Sequence, residues 1–173
     1  MDTTHLFNSL RKLSGSLSQI QVDSVNAILS ACNKHLVTDS NQIAYILATA
    51  YHEARLKPVR EVGLGRGHPY GVPDKETNQT YYGRGFCQIT WKGNYQTFAK
   101  LLNIDLVHNP DLAMQPESAA EIIVIGMKNG LFTGKKLSNY FTATINDPIN
   151  ARRIINGTDK AELISTYYKT ILT

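Results

Sequence analysis

Tyr81-Tyr82-Gly83-Arg84-Gly85-Phe86-Cys87-Gln88-Ile89-Thr90-Trp91-Lys92-Gly93-Asn94-Tyr95 is the stretch from which the rest of the chain can be read. It sets tyrosines, the chain's one Trp, an Arg and several amide or hydroxyl side chains around glycines. Glycines let a backbone approach a ligand closely, aromatic faces stack on pyranose rings, and amides and hydroxyls give directional hydrogen bonds. That furnishing predicts a cleft that reads a sugar chain. His52-Glu53 lies upstream, near the end of a helical pattern, which suggests an acid-bearing helix facing a substrate-binding floor.

Outward from this stretch, apolar residues recur at helical spacing. Leu6, Leu10 and Leu13 predict a first helix stopped by Ser14-Gly15-Ser16, and Ile20, Val22, Val25, Ile28 and Leu29 a second running to about Cys32. Asp39 or Ser40 caps a third with Ile43, Ile46, Leu47 and Ala50 on one stripe, which should end before Pro58 and so hold Glu53 in its last turns. From Val62 to Arg84, Gly63, Gly65, Gly67, Pro69, Gly71 and Pro73 interrupt any regular element. A long irregular loop or small hairpin is expected there, and such loops usually carry function. Helical patterns resume from Gly93 to Leu102 and from Pro116 to an Asn129-Gly130 stop. After a turn at Leu131-Phe132-Thr133-Gly134, Asp147-Pro148 opens a short helix to Ile155, and Thr158 caps a last one to Leu172. The expectation is a mainly α chain forming one domain over residues 1–173, without repeats or linkers.

Composition agrees with one compact unit: 42% of residues are hydrophobic and 18% charged, too apolar for a disordered chain. The net charge of +4 helps approach to any polyanion without choosing among nucleic acid, anionic lipid and a carboxylate-rich wall. Cys32 and Cys87 stand apart from any CxxC or Cys/His cluster, so two reduced thiols are expected rather than a disulfide or a metal site. His52-Glu53 begins like HExxH, but Leu56 occupies the second His position. Gly63-Leu64-Gly65-Arg66-Gly67 lacks the dinucleotide pattern, and His5, His35, His68 and His108 are dispersed, with His68 alone in the functional loop. No cofactor, metal or nucleic acid is expected. Met1-Asp2-Thr3-Thr4-His5 is not followed by an apolar run, so neither a signal peptide nor stable membrane insertion is expected.

Glu53 and Glu61 are the natural pair for glycosidic cleavage, in which one carboxylic acid protonates the leaving oxygen and a second carboxylate activates water or attacks. On an unbroken helix they would lie about 12 Å apart along the axis, beyond the roughly 6.5–9.5 Å of an inverting pair. Pro58 ends the helix between them and lets the chain turn. The residues alone leave open that Glu53 is a surface carboxylate and that Glu61 pairs with Arg60 or Arg84.

His52-Glu53, Pro58-Val59-Arg60-Glu61-Val62-Gly63 and Tyr81 to Trp91 together resemble the chitinase-like glycoside hydrolases of family 19, and within them the phage and prophage endolysins. The resemblance covers about Gln19 to Leu172 and implies a lysozyme-like helical fold. It implies inversion, with Glu53 as general acid, Glu61 as general base and Thr90 orienting the water. Gln88, Asn94 and Asn156 then contact substrate, together with Tyr82 and Arg84, although Arg84 could instead anchor a carboxylate or its loop. A raised Glu53 pKa is expected from the apolar neighbours Ala50, Tyr51 and Ala54. Trp91 is expected to wall the core. Plant relatives couple the base to an Arg in the final helix, where Ala161-Glu162-Leu163-Ile164-Ser165 has none; either Arg152 or Arg153 supplies that charge, or the base is tuned otherwise. Cys87, where many relatives place an apolar residue or Pro, reads as a small hydrophobe rather than a nucleophile.

The expected activity is cleavage of the β-1,4 bond between N-acetylmuramic acid and N-acetylglucosamine in bacterial peptidoglycan, causing lysis. The expected setting is the host bacterial cytoplasm, with a holin-type pore giving a monomeric chain access to glycan strands in the periplasm. Two alternatives stand beside it. One is a chitinase on N-acetylglucosamine polymers; the other is a non-catalytic carbohydrate-binding module, which the two intact carboxylates disfavour.

Overall fold

The computed structural model describes residues 2–173. Among them, α-helices α1 Thr3–Ser14, α2 Gln19–Lys34, α3 Ser40–Ala54, α4 Lys92–Leu102, α5 Pro116–Asn129 and α6 Ala161–Leu172 form the body. A small hairpin of β1 Val59–Arg60 and β2 Arg84–Gly85 sits between α3 and α4, and 3-10 turns occupy Pro69–Gly71, Pro110–Met114, Leu137–Asn139 and Asn150–Ile154. The chain is mainly helical, as its periodicity predicts.

Local chemistry sets most helix ends. The Asp2 carboxylate accepts from the Thr4 N–H at 3.0 Å, and the Asp39 carboxylate from Asn41 and Gln42 at 2.8 and 3.0 Å. Gly130, at φ 72°, closes α5 in the left-handed conformation that glycine adopts without steric cost. The start of α6 differs from expectation. Lys160, itself left-handed at φ 58°, precedes the helix, and Thr158 contributes only its carbonyl, to the Ala161 N–H at 3.2 Å.

The end of α3 matters most for function. The helix stops at Ala54, short of Pro58, because Arg55 and Leu56 both turn left-handed, at φ 52° and 57°. The Leu56 N–H reaches back to the Ala50 carbonyl at 3.2 Å and the Arg55 N–H to Tyr51 at 2.9 Å. Left-handed geometry is unfavourable for side chains with a Cβ. Here Leu56 is fully buried, a gain of about 1.5–3 kcal/mol, and the Gln21 amide donates to the Arg55 carbonyl at 2.8 Å. The turn therefore needs α2 and the core, not the proline alone.

The helix α5 divides the interior. Ile123, Val124 and Met127 join Leu6, Val25, Ile28, Leu47 and Tyr168 in the larger cluster, built with α1, α2, α3 and α6. Ile122 and Ile125 face a smaller cluster with Tyr81, Ile89, Tyr95, Phe98 and Leu106. Only the face bearing Glu117, Glu121 and Lys128 is left toward solvent, and there Glu121 pairs with Lys34 and His35. Cys87 and Phe132 pack against both clusters, so the seam between the lobes runs past the segment that follows β2.

Candidate active site

Glu53 leaves the last turn of α3 with its side chain about 23% exposed, and its Oε1 pairs with Nη1 of Arg152. Arg152 comes from the 3-10 turn Asn150–Ile154, is 4% exposed, and donates from Nε to the Asp159 carbonyl at 3.0 Å. The apolar surround expected of Glu53 is thus corrected. Ala50, Tyr51 and Ala54 are buried, but a guanidinium meets the carboxylate. Of the two arginines considered, Arg152 supplies the charge and supplies it to Glu53, while Arg153 is exposed. Beside this pair His52 has its Nδ1 buried without a partner among the described residues, and burial lowers its pKa against the opposing pull of the Glu53 charge.

Glu61 is placed by the hairpin. The register Val59↔Gly85 and Arg60↔Arg84 brings it opposite Gly83, and its N–H donates to the Gly83 carbonyl at 2.7 Å. The Gly83 N–H returns to Glu61 Oε2 at 2.9 Å, and the Tyr70 hydroxyl donates to Oε1 at 3.1 Å. Gly83 is required for this closeness, since a Cβ there would stand 2.9 Å from Gln88 Oε1 and 3.3 Å from Glu61 Cβ. Neither Arg60 nor Arg84 pairs with Glu61. Both go to Asp111, at 2.8 and 2.7 Å, and lower its pKa although partial burial pushes the other way.

The two carboxylates adjoin opposite ends of one segment, Gly83–Cys87. Glu61 is bonded to Gly83, while Glu53 lies close enough to Cys87 to help burial push that thiol up to about 12. Cys87 therefore stays protonated at neutral pH and serves as packing. Beyond it opens a hollow of about 210 Å³ lined by Cys87, Gln88, Thr90, Asn94, Phe132 and Ile155. Gln88 donates from Nε2 to the Val59 and Gly85 carbonyls at 2.7 and 3.1 Å, and Asn94 from Nδ2 to the Thr90 carbonyl at 2.7 Å. Both amides donate to backbone carbonyls, Gln88 twice and Asn94 once, and neither amide oxygen accepts a bond among the described residues. Asn156 is exposed beyond the hollow, its Oδ1 accepting from the Gly157 N–H at 2.8 Å. A larger hollow of about 630 Å³ lies between the 146–149 segment and α6, where neither carboxylate reaches.

Two assignments are corrected. Arg84 is 3% exposed, with Nε on Asp111 and Nη1 donating to the Thr80 carbonyl, the Tyr82 carbonyl and the Tyr95 hydroxyl at 3.0, 3.2 and 3.1 Å. Tyr82 is 8% exposed and covers that guanidinium at 3.7 Å from its ring centroid. Both are posts beneath the hairpin rather than substrate contacts. The reverse holds for Trp91, expected in the core, which is 51% exposed. Its backbone sits at φ 71°, which swings the indole out of the smaller cluster while Ile89 and Tyr95 on either side remain inside it. Tyr70 and Asp111, which hold Glu61 and the two hairpin arginines, are contacts that local pattern does not reveal, because their partners come from other segments.

No protein-family model matches the chain. A stretch of 39 residues is 51% identical to chitinase 8 of Oryza sativa subsp. japonica, covering 22% of this chain and 15% of that protein. Another of 82 residues is 33% identical to an endochitinase of Arabidopsis thaliana, covering 46% of this chain and 29% of that protein. The chain thus matches less than a third of the length of either plant relative. Among solved structures, chitinase C from Streptomyces griseus superposes with a TM-score of 0.64 at 19% identity, over 96% of this chain and 76% of that one. A bacterial family 19 chitinase does so with a TM-score of 0.58 at 20% identity, over 95% and 93%. The chain shares the fold of these chitinases.

Proposed function

We propose that this chain hydrolyses the β-1,4 links of an N-acetylated glycan with inversion, Glu53 protonating the leaving oxygen and Glu61 deprotonating the attacking water. The observation that carries this reading is the placement of two oriented carboxylates at the two ends of Gly83–Cys87, beside a hollow furnished with amide and hydroxyl oxygens. Glu61 has both oxygens fixed by donors on Tyr70 and Gly83, so its orientation is set before substrate arrives. Glu53 Oε1 is occupied by Arg152, which leaves Oε2 as the atom to deliver a proton. The Thr90 hydroxyl can both donate and accept, as a water-orienting group must, and the Gln88 and Asn94 oxygens suit acetamido N–H groups. As Glu53 gives its proton to the leaving oxygen and Glu61 takes one from the water, negative charge develops on Glu53 beside the oxocarbenium-like transition state.

The preferred substrate in this reading is peptidoglycan, cut between N-acetylmuramic acid and N-acetylglucosamine by an endolysin made in the host cytoplasm and released through a holin-type pore. The net charge of +4 suits a carboxylate-rich wall. A second reading, hydrolysis of chitin-type N-acetylglucosamine polymers, is favoured by the chitinases to which the chain is similar. Turbidity loss of permeabilised Gram-negative cells, compared among wild type, Glu53→Gln and Glu61→Gln, tests the mechanism: lysis should vanish in both variants. Unchanged lysis in either removes that residue from its role. Mass spectrometry of the digested wall should show new reducing ends without new free amines, and higher turnover on glycol chitin than on peptidoglycan would transfer the substrate to the second reading.

A further inference from the structure

We infer that His68 is a positioning residue for the proposed base: its imidazole holds the Tyr70 ring at the angle from which the Tyr70 hydroxyl meets Glu61. The inference rests on the glycan-hydrolase reading and deepens it. His68 is the one histidine of the Gly- and Pro-rich loop, and it bonds to neither carboxylate.

The Tyr70 hydroxyl donates to Glu61 Oε1 at 3.1 Å, at the long end for a bond between oxygens, so little further separation is tolerated. That hydroxyl sits at the tip of a phenol ring, where a small rotation about Cα–Cβ becomes a large displacement. Keeping the contact requires both ends of the residue to be fixed. The loop fixes the backbone end. Gly65 and Gly71 cross so closely that a Cβ on Gly71 would stand 2.1 Å from the Gly65 carbonyl oxygen. The His68 N–H donates to that same carbonyl at 2.9 Å, the Gly71 N–H to the His68 carbonyl at 3.0 Å, and the Tyr70 carbonyl accepts from the Tyr81 N–H at 2.9 Å.

Two other rings fix the phenol end. His68 lies parallel to Tyr70, with 8° between planes and 4.9 Å between centroids, and Trp91 meets it edge-on at 5.1 Å. Both are arrangements that aromatic pairs prefer. The parallel neighbour covers a face of the phenol and so blocks the ring from swinging through that face, which an edge contact leaves free. His68 is exposed and belongs to neither core cluster, so removing its ring opens no cavity there.

On whichever of glycol chitin and solubilised peptidoglycan the wild type turns over, His68→Ala should lower kcat about threefold with KM and melting temperature unchanged, a loss bounded by that of deleting the Tyr70 hydroxyl itself. His68→Phe, which keeps a flat ring, should recover most of the loss, and His68→Ala should add nothing in a Tyr70→Phe background. An unaltered kcat, a raised KM, a Phe variant as impaired as the Ala variant, or losses that multiply with Tyr70→Phe each overturn the proposal. Fluorine NMR of protein labelled with fluorotyrosine reads the same coupling without turnover, the Tyr70 signal being assigned by its loss in Tyr70→Phe. The shift that Glu61→Gln produces in that signal should shrink about twofold or more when residue 68 is Ala; an undiminished shift overturns the positioning. A shrunken shift in a protein whose wild type hydrolyses neither glycan would uphold the His68, Tyr70 and Glu61 coupling while refuting the hydrolase reading.

Discussion

Replacing Arg152 by Met tests the pairing on which the Glu53 assignment depends. The guanidinium is 4% exposed and its partner carboxylate about 23% exposed, so the pair is close to, but not fully, sealed from water. Removing one member of a buried pair costs about 3–5 kcal/mol, and the partial access of water to Glu53 brings this to about 2–3 kcal/mol. Loss of the Nε bond to the Asp159 carbonyl adds about 1 kcal/mol, for a total of about 3–4 kcal/mol. At about 2–4 °C per kcal/mol for a chain of this size, the melting temperature should fall by about 10 °C. The decisive measurement is a double-mutant cycle by urea unfolding. Adding Glu53→Gln to Arg152→Met should restore about 1–2 kcal/mol, because no unpaired charge is then left at the site. A coupling below about 0.5 kcal/mol would mean that Arg152 and Glu53 are independent, and the structural argument would fail.

Removing the hydroxyl in Tyr70→Phe deletes one of the two donors on Glu61, and kcat on soluble glycan should fall about fivefold. An unaltered kcat would show that Gly83 alone orients the carboxylate. Asp74 tests acid sensitivity. The Lys92 ammonium, followed by the Thr77 N–H, holds its pKa down to about 2. A folded-state pKa below the unfolded value means stability that is complete above pH about 4 and lost as pH falls toward about 2. The melting-temperature gap between wild type and Asp74→Asn should therefore be constant from pH about 5 to 7 and close below about 4; a gap undiminished at pH about 2 would contradict the Lys92 pairing.

Helix existence was legible in the chain because the stops are local: Gly15, Asn129-Gly130 and the Asp39 cap act through their own backbone neighbours. Glu53 and Glu61 were legible for the same reason, one at the close of a helical stripe and the other in a breaker-rich loop. What local pattern could not carry was exposure around the Gly-rich stretch. Tyr82 and Trp91 both read as aromatics beside glycine or small residues, yet the buried Arg84 guanidinium draws one inward and a positive φ turns the other out. Arg84 itself looked available to a ligand until the Asp111 carboxylate and the carbonyls of Thr80 and Tyr82 were seen to take its donors.

The same distinction separates the two carboxylates. Glu61 is held by Tyr70 and Gly83, 9 and 22 positions away, and the β1–β2 register brings the latter contact about once the hairpin forms. Glu53 is held by a residue 99 positions away, in a turn that packs on α6, which itself packs on α3. The proposed base is thus held by local chain closure and the proposed acid by a contact across the larger core. Destabilising the α3–α6 packing should disorder the Glu53–Arg152 pair while the Glu61–Gly83 contacts persist, a sequence of loss that hydrogen exchange at Gly83 against Asn156, whose N–H donates to the Arg152 carbonyl at 3.0 Å, would resolve.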